Sequence, residues 1–165
     1  MAAWTTPITY PTGDSLQVSA WNGVANDETF LYQAPYGLYY NSVSQSITNN
    51  VQTTVTLGGI EAQNYGFSIS SNTVSVPLTG IYMTYFCVGV AANVTLRSGV
   101  FVGGQYARAS THSGQAYSSS ANGFSMLSLT AGANLNLSTY CEAIPTTTNA
   151  SKWATYLHAY FVGSV

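Results

Sequence analysis

"SNTVSVPLTGIYMTYF" occupies residues 71–86 and changes character halfway. Through Val76 it alternates small polar and apolar residues, the period of two of a half-buried strand. Past Pro77 and Gly80 it runs Ile81, Tyr82, Met83, Thr84, Tyr85, Phe86, Cys87, Val88 with hardly a polar position. An antiparallel strand that faces core on one side and water on the other keeps one polar face, so something must cover the second face of this one. The last strand-like segment repeats the pattern, with Trp153, Leu157 and Phe161 in one alternating set and Tyr156, His158, Tyr160 and Val162 in the other. The economical explanation is that one face fills a sandwich and the other packs on neighbouring copies. The rival is a long loop or the N-terminal segment folded over the strand.

Around these two segments, short runs rich in Val, Thr, Tyr, Ile and Phe recur every 8–12 residues or so from Gly37 onward, separated by Gly, Asn and Ser. That spacing predicts an all-β antiparallel β-sandwich of about ten strands, a jelly roll, over residues 37–165. Residues 1–36 read differently. Pro7, Pro11 and the Gly13-Asp14 pair favour an extended or turning chain, and one helix is expected after Ser19 as N-cap, with Trp21, Val24 and Ala25 at helical spacing and Pro35 as a stop. This stretch is expected to be an attachment arm, with Trp4, Trp21, Phe30 and Leu31 as its apolar contacts.

Composition narrows the function. Only 5% of the 165 residues are Asp, Glu, Lys or Arg, against about 25% in ordinary domains, so the surface is neutral and rich in hydroxyls. Three basic residues cannot neutralise a nucleic-acid backbone, so no nucleic-acid partner is expected. No apolar run reaches the roughly 18 residues of a membrane span, and "MAAWTTPITYPTGDS" has neither the basic start nor the apolar middle of a signal peptide. Cys87 and Cys141 are therefore expected to be reduced thiols rather than a disulfide.

The order "F-x-I", "P-L-T-G-I-Y", "L-T-A-G-x-x-L-x-L" and "T-Y-L-x-A-Y-F-V-G" is carried by Phe67 and Ile69, Pro77 to Tyr82, Leu129 to Leu137 and Thr155 to Gly163. It resembles the trimeric jelly roll of the tumour-necrosis-factor and complement globular-head superfamily. The resemblance implies a tight homotrimer with aromatics near its axis: Tyr82, Tyr85, Tyr156 and Tyr160, with His158 among them. Ala133 follows Gly132 where the family carries Asp, which removes the carboxylate of any calcium or charged contact there. The first 30 residues or so are similar to the opening of many tailed-phage virion proteins, and this implies a chain assembled in a bacterial cytoplasm and carried on a virion.

Catalytic signals are missing from the sequence. No GxSxG, HExxH, Walker or GxGxxG motif occurs, and none of the five acids neighbours His112 or His158 to orient it. Glu61 and Glu142 supply two carboxylates with nothing else to mark a glycosidase. The expectation is no enzymatic activity, no cofactor and no metal. The polar run of residues 104–123 is a candidate glycan-contacting loop through Tyr106, Arg108, His112 and Tyr117, although a solvated connection is its ordinary reading. The function read from the sequence is a trimeric decoration or fibre protein held on a phage head by the major capsid protein or another virion protein. The alternatives are a tail-fibre tip recognising host surface glycans and a free carbohydrate-binding or complement-like module.

Overall fold

The computed structural model describes residues 34–107, 117–142 and 145–164. The chain divides into two units, Met1–Ala34 and Pro35–Val165, and every described residue but Ala34 belongs to the second. The expected arm helix, together with Trp4, Trp21, Phe30 and Leu31, lies outside the described residues.

All described elements are strands: β1 (Tyr36–Tyr40), β2 (Ser46–Ile47), β3 (Thr53–Thr54), β4 (Gly59–Gln63), β5 (Ser68–Ser70), β6 (Thr73–Ser75), β7 (Gly80–Val102), β8 (Gln105–Tyr106), β9 (Tyr117–Leu129), β10 (Asn134–Glu142), β11 (Thr146–Thr147) and β12 (Thr155–Gly163). Every pairing between them is antiparallel. Tight turns follow from residues that tolerate positive φ. Ser71 and Asn72 (φ 48° and 65°) join β5 to β6, and Gly103 and Gly104 (φ 57° and 79°) join β7 to β8. Two central residues with φ above zero make the primed turn whose twist matches that of the flanking strands.

The expected antiparallel sandwich is present, built in an economical way. Ten strands form one continuous hydrogen-bonded sheet, while β2 and β11 pair separately. The 23-residue β7 runs through both layers. Its first half pairs with β12 and β9, and its second half pairs with β10 and with the β8 hairpin. The first layer is thus β4-β1-β12-β7-β9; the second is β8-β7-β10, with β6 and β3 sharing the far edge of β10 and β5 beyond β6. The change of layer falls where the β9 register slips, between Gly89 and Val94. Such an irregularity bends a strand and lets it turn a corner.

Alternation then separates inside from outside. Tyr82, Thr84, Phe86 and Val88 of β7 are buried, as are Leu157, Ala159 and Phe161 of β12 and Leu135, Leu137 and Cys141 of β10. Tyr82 sits edge-to-face between Phe67 and Phe161, at 6.0 and 5.3 Å. Its hydroxyl donates to the Leu78 carbonyl at 2.9 Å and accepts from the Leu78 N–H at 3.2 Å. The sandwich also buries one hydroxyl pair in each layer, Thr84 with Ser125 at 2.7 Å and Ser98 with Thr139 at 2.9 Å. Each pair consists of directly opposed residues on neighbouring strands, so both groups are satisfied without leaving the core.

Four readings are corrected. The segments 81–90 and 94–102 are one bent strand rather than two. Tyr36, assigned to the arm, is the first residue of β1. Residues 117–123 of the expected loop belong to β9. Trp153 does not continue the buried set of β12; it stands in the preceding turn at 78% exposure with the Lys152 ammonium 4.8 Å from its ring. Its indole can shed water against that cation without entering the core.

Candidate functional site

The outer surface of the first layer carries the second apolar set of each strand. Register places its side chains in rows that cross four strands. Tyr36, Tyr160, Met83 and Met126 make one row, Leu38, His158, Tyr85 and Phe124 the next, and Tyr40, Tyr156, Cys87 and Asn122 the third. Directly opposed residues on one face of a sheet lie about 4.5–5.5 Å apart at Cβ, so these rings are in mutual reach. Tyr85 and Tyr156 are 5.7 Å apart, Tyr156 and His158 stack at 4.6 Å, and Tyr36 and Tyr160 lie at 6.5 Å.

This face is exposed to a degree that a closed surface is not: Phe124 keeps 61% of its area, Met126 44%, Tyr85 41% and Met83 38%. It is nearly free of charge, and the titrating groups on it respond to that. Burial pushes the Tyr156 hydroxyl well above the tyrosine range, and a hydrogen bond that it donates to Tyr85 adds to this. The Tyr160 hydroxyl is raised by burial first and by Glu61 second. Burial holds His158 below the ordinary imidazole value, and the Glu61 carboxylate partly opposes this. Cys87 is half-buried on this face and its thiol is pushed up by desolvation. Cys141 is buried in the sandwich, and the two cysteines form no disulfide with each other.

Of the residues expected at a trimer axis, Tyr85, Tyr156, His158 and Tyr160 share this face, and Tyr82 does not. Positions 82 and 85 differ by three, and a period of two sends them to opposite faces; Tyr82 is fully buried inside its own chain. Leu38, Phe124 and Met126 belong to the face and were not singled out from the sequence. The signal was present in "GFSMLSL", where Phe124 and Met126 alternate with Leu127 and Leu129 as a third doubly apolar segment.

No catalytic arrangement is built by the described residues. His158 is surrounded by tyrosines. Glu61 is engaged by Lys152 at 2.8 Å and Glu142 by Arg97 at 2.5 Å, so neither carboxylate is poised opposite the other. Among the described residues, no three of His, Cys, Asp and Glu gather around a metal-sized space. Of the candidate glycan-contacting residues, Tyr106 lies on the outer surface of the second layer, packed edge-to-face on Phe101 at 4.8 Å. Tyr117 pairs with Thr95 through the backbone, while Arg108 and His112 lie outside the described residues.

No protein-family profile matches the chain, and no curated protein matches it in sequence. Solved structures do match in shape. Murine APRIL aligns with a TM-score of 0.60 at 17% identity, over 78% of this chain and 98% of its own. The chain has the jelly-roll sandwich of that protein. The Eiger TNF of S. frugiperda aligns at 0.50 and 12% identity, over 80% of this chain and 95% of its own. The globular domain of the zebrafish complement 1qA protein aligns at 0.49 and 12% identity, over 79% and 99%. At these identities the likeness concerns the fold.

Proposed function

We propose that the chain is a non-enzymatic structural protein that assembles as a homotrimer through the outer face of its first layer and sits on a tailed-phage virion, as a decoration or fibre of the head. The observation that carries this is the aromatic face itself: rows of rings and methionines across four adjacent strands, with half-exposed side chains and no charged residue within the rows. A contiguous apolar surface of this kind marks an interaction site. Three copies packing these faces around one axis would bury it. The shared jelly roll with murine APRIL and the Eiger TNF, and the sequence resemblance to a trimeric superfamily, support a threefold arrangement. The similarity of residues 1–36 to phage virion openings supports the location and makes that segment the attachment arm, with the major capsid protein or another virion protein as its partner.

Two measurements test the two halves separately. Light scattering on the isolated protein at micromolar concentration should give a trimer, and a stable monomer would remove the first half. Deleting residues 2–33 leaves every described strand intact, so the truncated chain should remain trimeric yet fail to bind particles stripped of their native copy. Normal binding by the truncated chain would move attachment onto the jelly roll. A second reading, a receptor-binding tip, draws on the half-exposed Tyr106 beside a groove on the other layer.

A further inference from the structure

The outer surface of the second layer holds a groove built from two neighbouring strands and a hairpin. Along β7 and β10, Gly99 is opposite Ser138 and Arg97 is opposite Tyr140. The two small residues leave a depression between larger ones, a cavity of about 360 Å³. One wall is Phe101 with Tyr106, their rings perpendicular at 87°. The other is Arg97 with Tyr140, whose hydroxyl donates to Asn50 Oδ1 at 3.0 Å, and Gln52 closes the side. Glycine at 99 makes room for the Tyr106 ring, which lies over it: an added Cβ would come within 2.5 Å of the Tyr106 hydroxyl oxygen. Glycine inside a strand often marks a close approach of a ligand or another group.

We propose that this groove binds one neutral pyranose ring of a surface polysaccharide. Four features of the groove match that ligand. A pyranose presents C–H groups on its faces and hydroxyls round its rim, so it suits a site with aromatic walls and a few planar polar groups. Phe101 and Tyr106 supply the first. Gln52 and the Arg97 guanidinium supply the second; the guanidinium carries five N–H donors in a fixed plane, and its one contact with Glu142 does not exhaust them.

The third feature is charge. The Arg97–Glu142 ion pair is half-exposed and locally neutral, so a phosphate, nucleotide or sulfated sugar gains no net attraction. The fourth is size. Ligand pockets run from about 300 to 1,000 Å³, and this one admits a single ring with the rest of a chain in water. A lipid chain would find too many polar groups.

The groove lies on the layer opposite the aromatic face, so the inference does not depend on the oligomeric state and survives a monomer. The test uses the full chain, isotope-labelled, titrated with the methyl glycosides of glucose, galactose, mannose and N-acetylglucosamine. At least one should bind with a Kd of about 1 mM and shift the amide signals of Gly99, Phe101, Ser138 and Tyr140. Gln52→Ala, an exposed change that leaves the core alone, and Phe101→Ala should each weaken binding tenfold or more, with melting temperature followed in parallel. Glucuronic acid should bind no better than glucose. If none of the four glycosides shifts those amides, if the shifts fall elsewhere, or if Gln52→Ala binds like the parent, the site is not a sugar site. If glucuronic acid binds better, its neutral character is wrong.

Discussion

The two layers of this sandwich are alike inside and unlike outside. Each buries a row of aliphatic and aromatic side chains, and each closes one pair of opposed hydroxyls in its interior, Thr84 with Ser125 and Ser98 with Thr139. Outside, the first layer presents Tyr36, Leu38, Met83, Tyr85, Phe124, Met126, Tyr156 and Tyr160. The second presents Arg97, Asn136, Tyr140, Glu142 and a glycine-floored groove. The interior pattern is what the fold demands of either layer. The exterior is where the layers are free to differ, and function is therefore read there.

The strongest way to break this contrast is a charge on each exterior. Tyr85→Asp puts a carboxylate among His158, Tyr156 and Phe124, repeated three times in the proposed trimer without partners, and should cost several kcal/mol of association; the chain should elute as a folded monomer with unchanged far-ultraviolet circular dichroism. Asn134→Asp, on the exposed outer side of β10, should stay trimeric with stability within about 0.5 kcal/mol of the parent. Equal effects from the two would mean the exteriors are not functionally different.

The interior similarity is tested by leaving one hydroxyl of each pair alone. Thr84→Val and Thr139→Val should each destabilise by about 1–3 kcal/mol, the range for an orphaned buried polar group, in denaturant melts. A large difference between them would show that the layers are unlike inside as well.

A weaker effect comes from pH. His158 stacks on Tyr156, lies near Tyr160 and opposes Leu38 and Tyr85, with Glu61 the acid that acts on it. Burial holds its folded pKa below the ordinary value of about 6.5. The unfolded chain therefore takes up the proton first as pH falls, so the stability from this group is complete above that value and declines as pH drops through it. Melting temperature should fall on acidification into that window, and His158→Phe should flatten the response; a response undiminished in that variant would assign it to other groups. The smallest expected effect is zero. With no disulfide between Cys87 and Cys141, a reductant should leave the melting temperature unchanged, and a drop would require a disulfide.

Much of the fold was legible because its strongest signals were local. Alternation from Gly37 onward named most of the strands, and the doubly apolar β7 and β12 announced an outer face that needs cover. What escaped depended on partners distant in sequence. "GIEAQ" (Gly59–Gln63) reads as a loop because its strand pairs only at one edge and slips register against β1. β2 and β11 are two residues each, and their pairing spans almost 100 positions. Tyr82 was misplaced because two apolar faces give no sign of which one is inside; the choice is made by Phe67 and Phe161. The groove was invisible apart from Tyr106, since Gln52, Gly99 and Tyr140 come from three segments and each alone is an ordinary residue of a polar strand.

The bent β7 has a mechanical consequence. Because one unbroken strand is laced to β9 and β12 at one end and to β10 at the other, the layers cannot slide past each other without shearing a ladder of parallel-loaded hydrogen bonds. β7 behaves as a rivet rather than a hinge. A pull on the groove side is carried along the same backbone that holds the aromatic side. Stretched between those two surfaces, the domain should resist until β7 detaches and then give way in a single step, a material property suited to a part that is anchored on one side and tugged on the other.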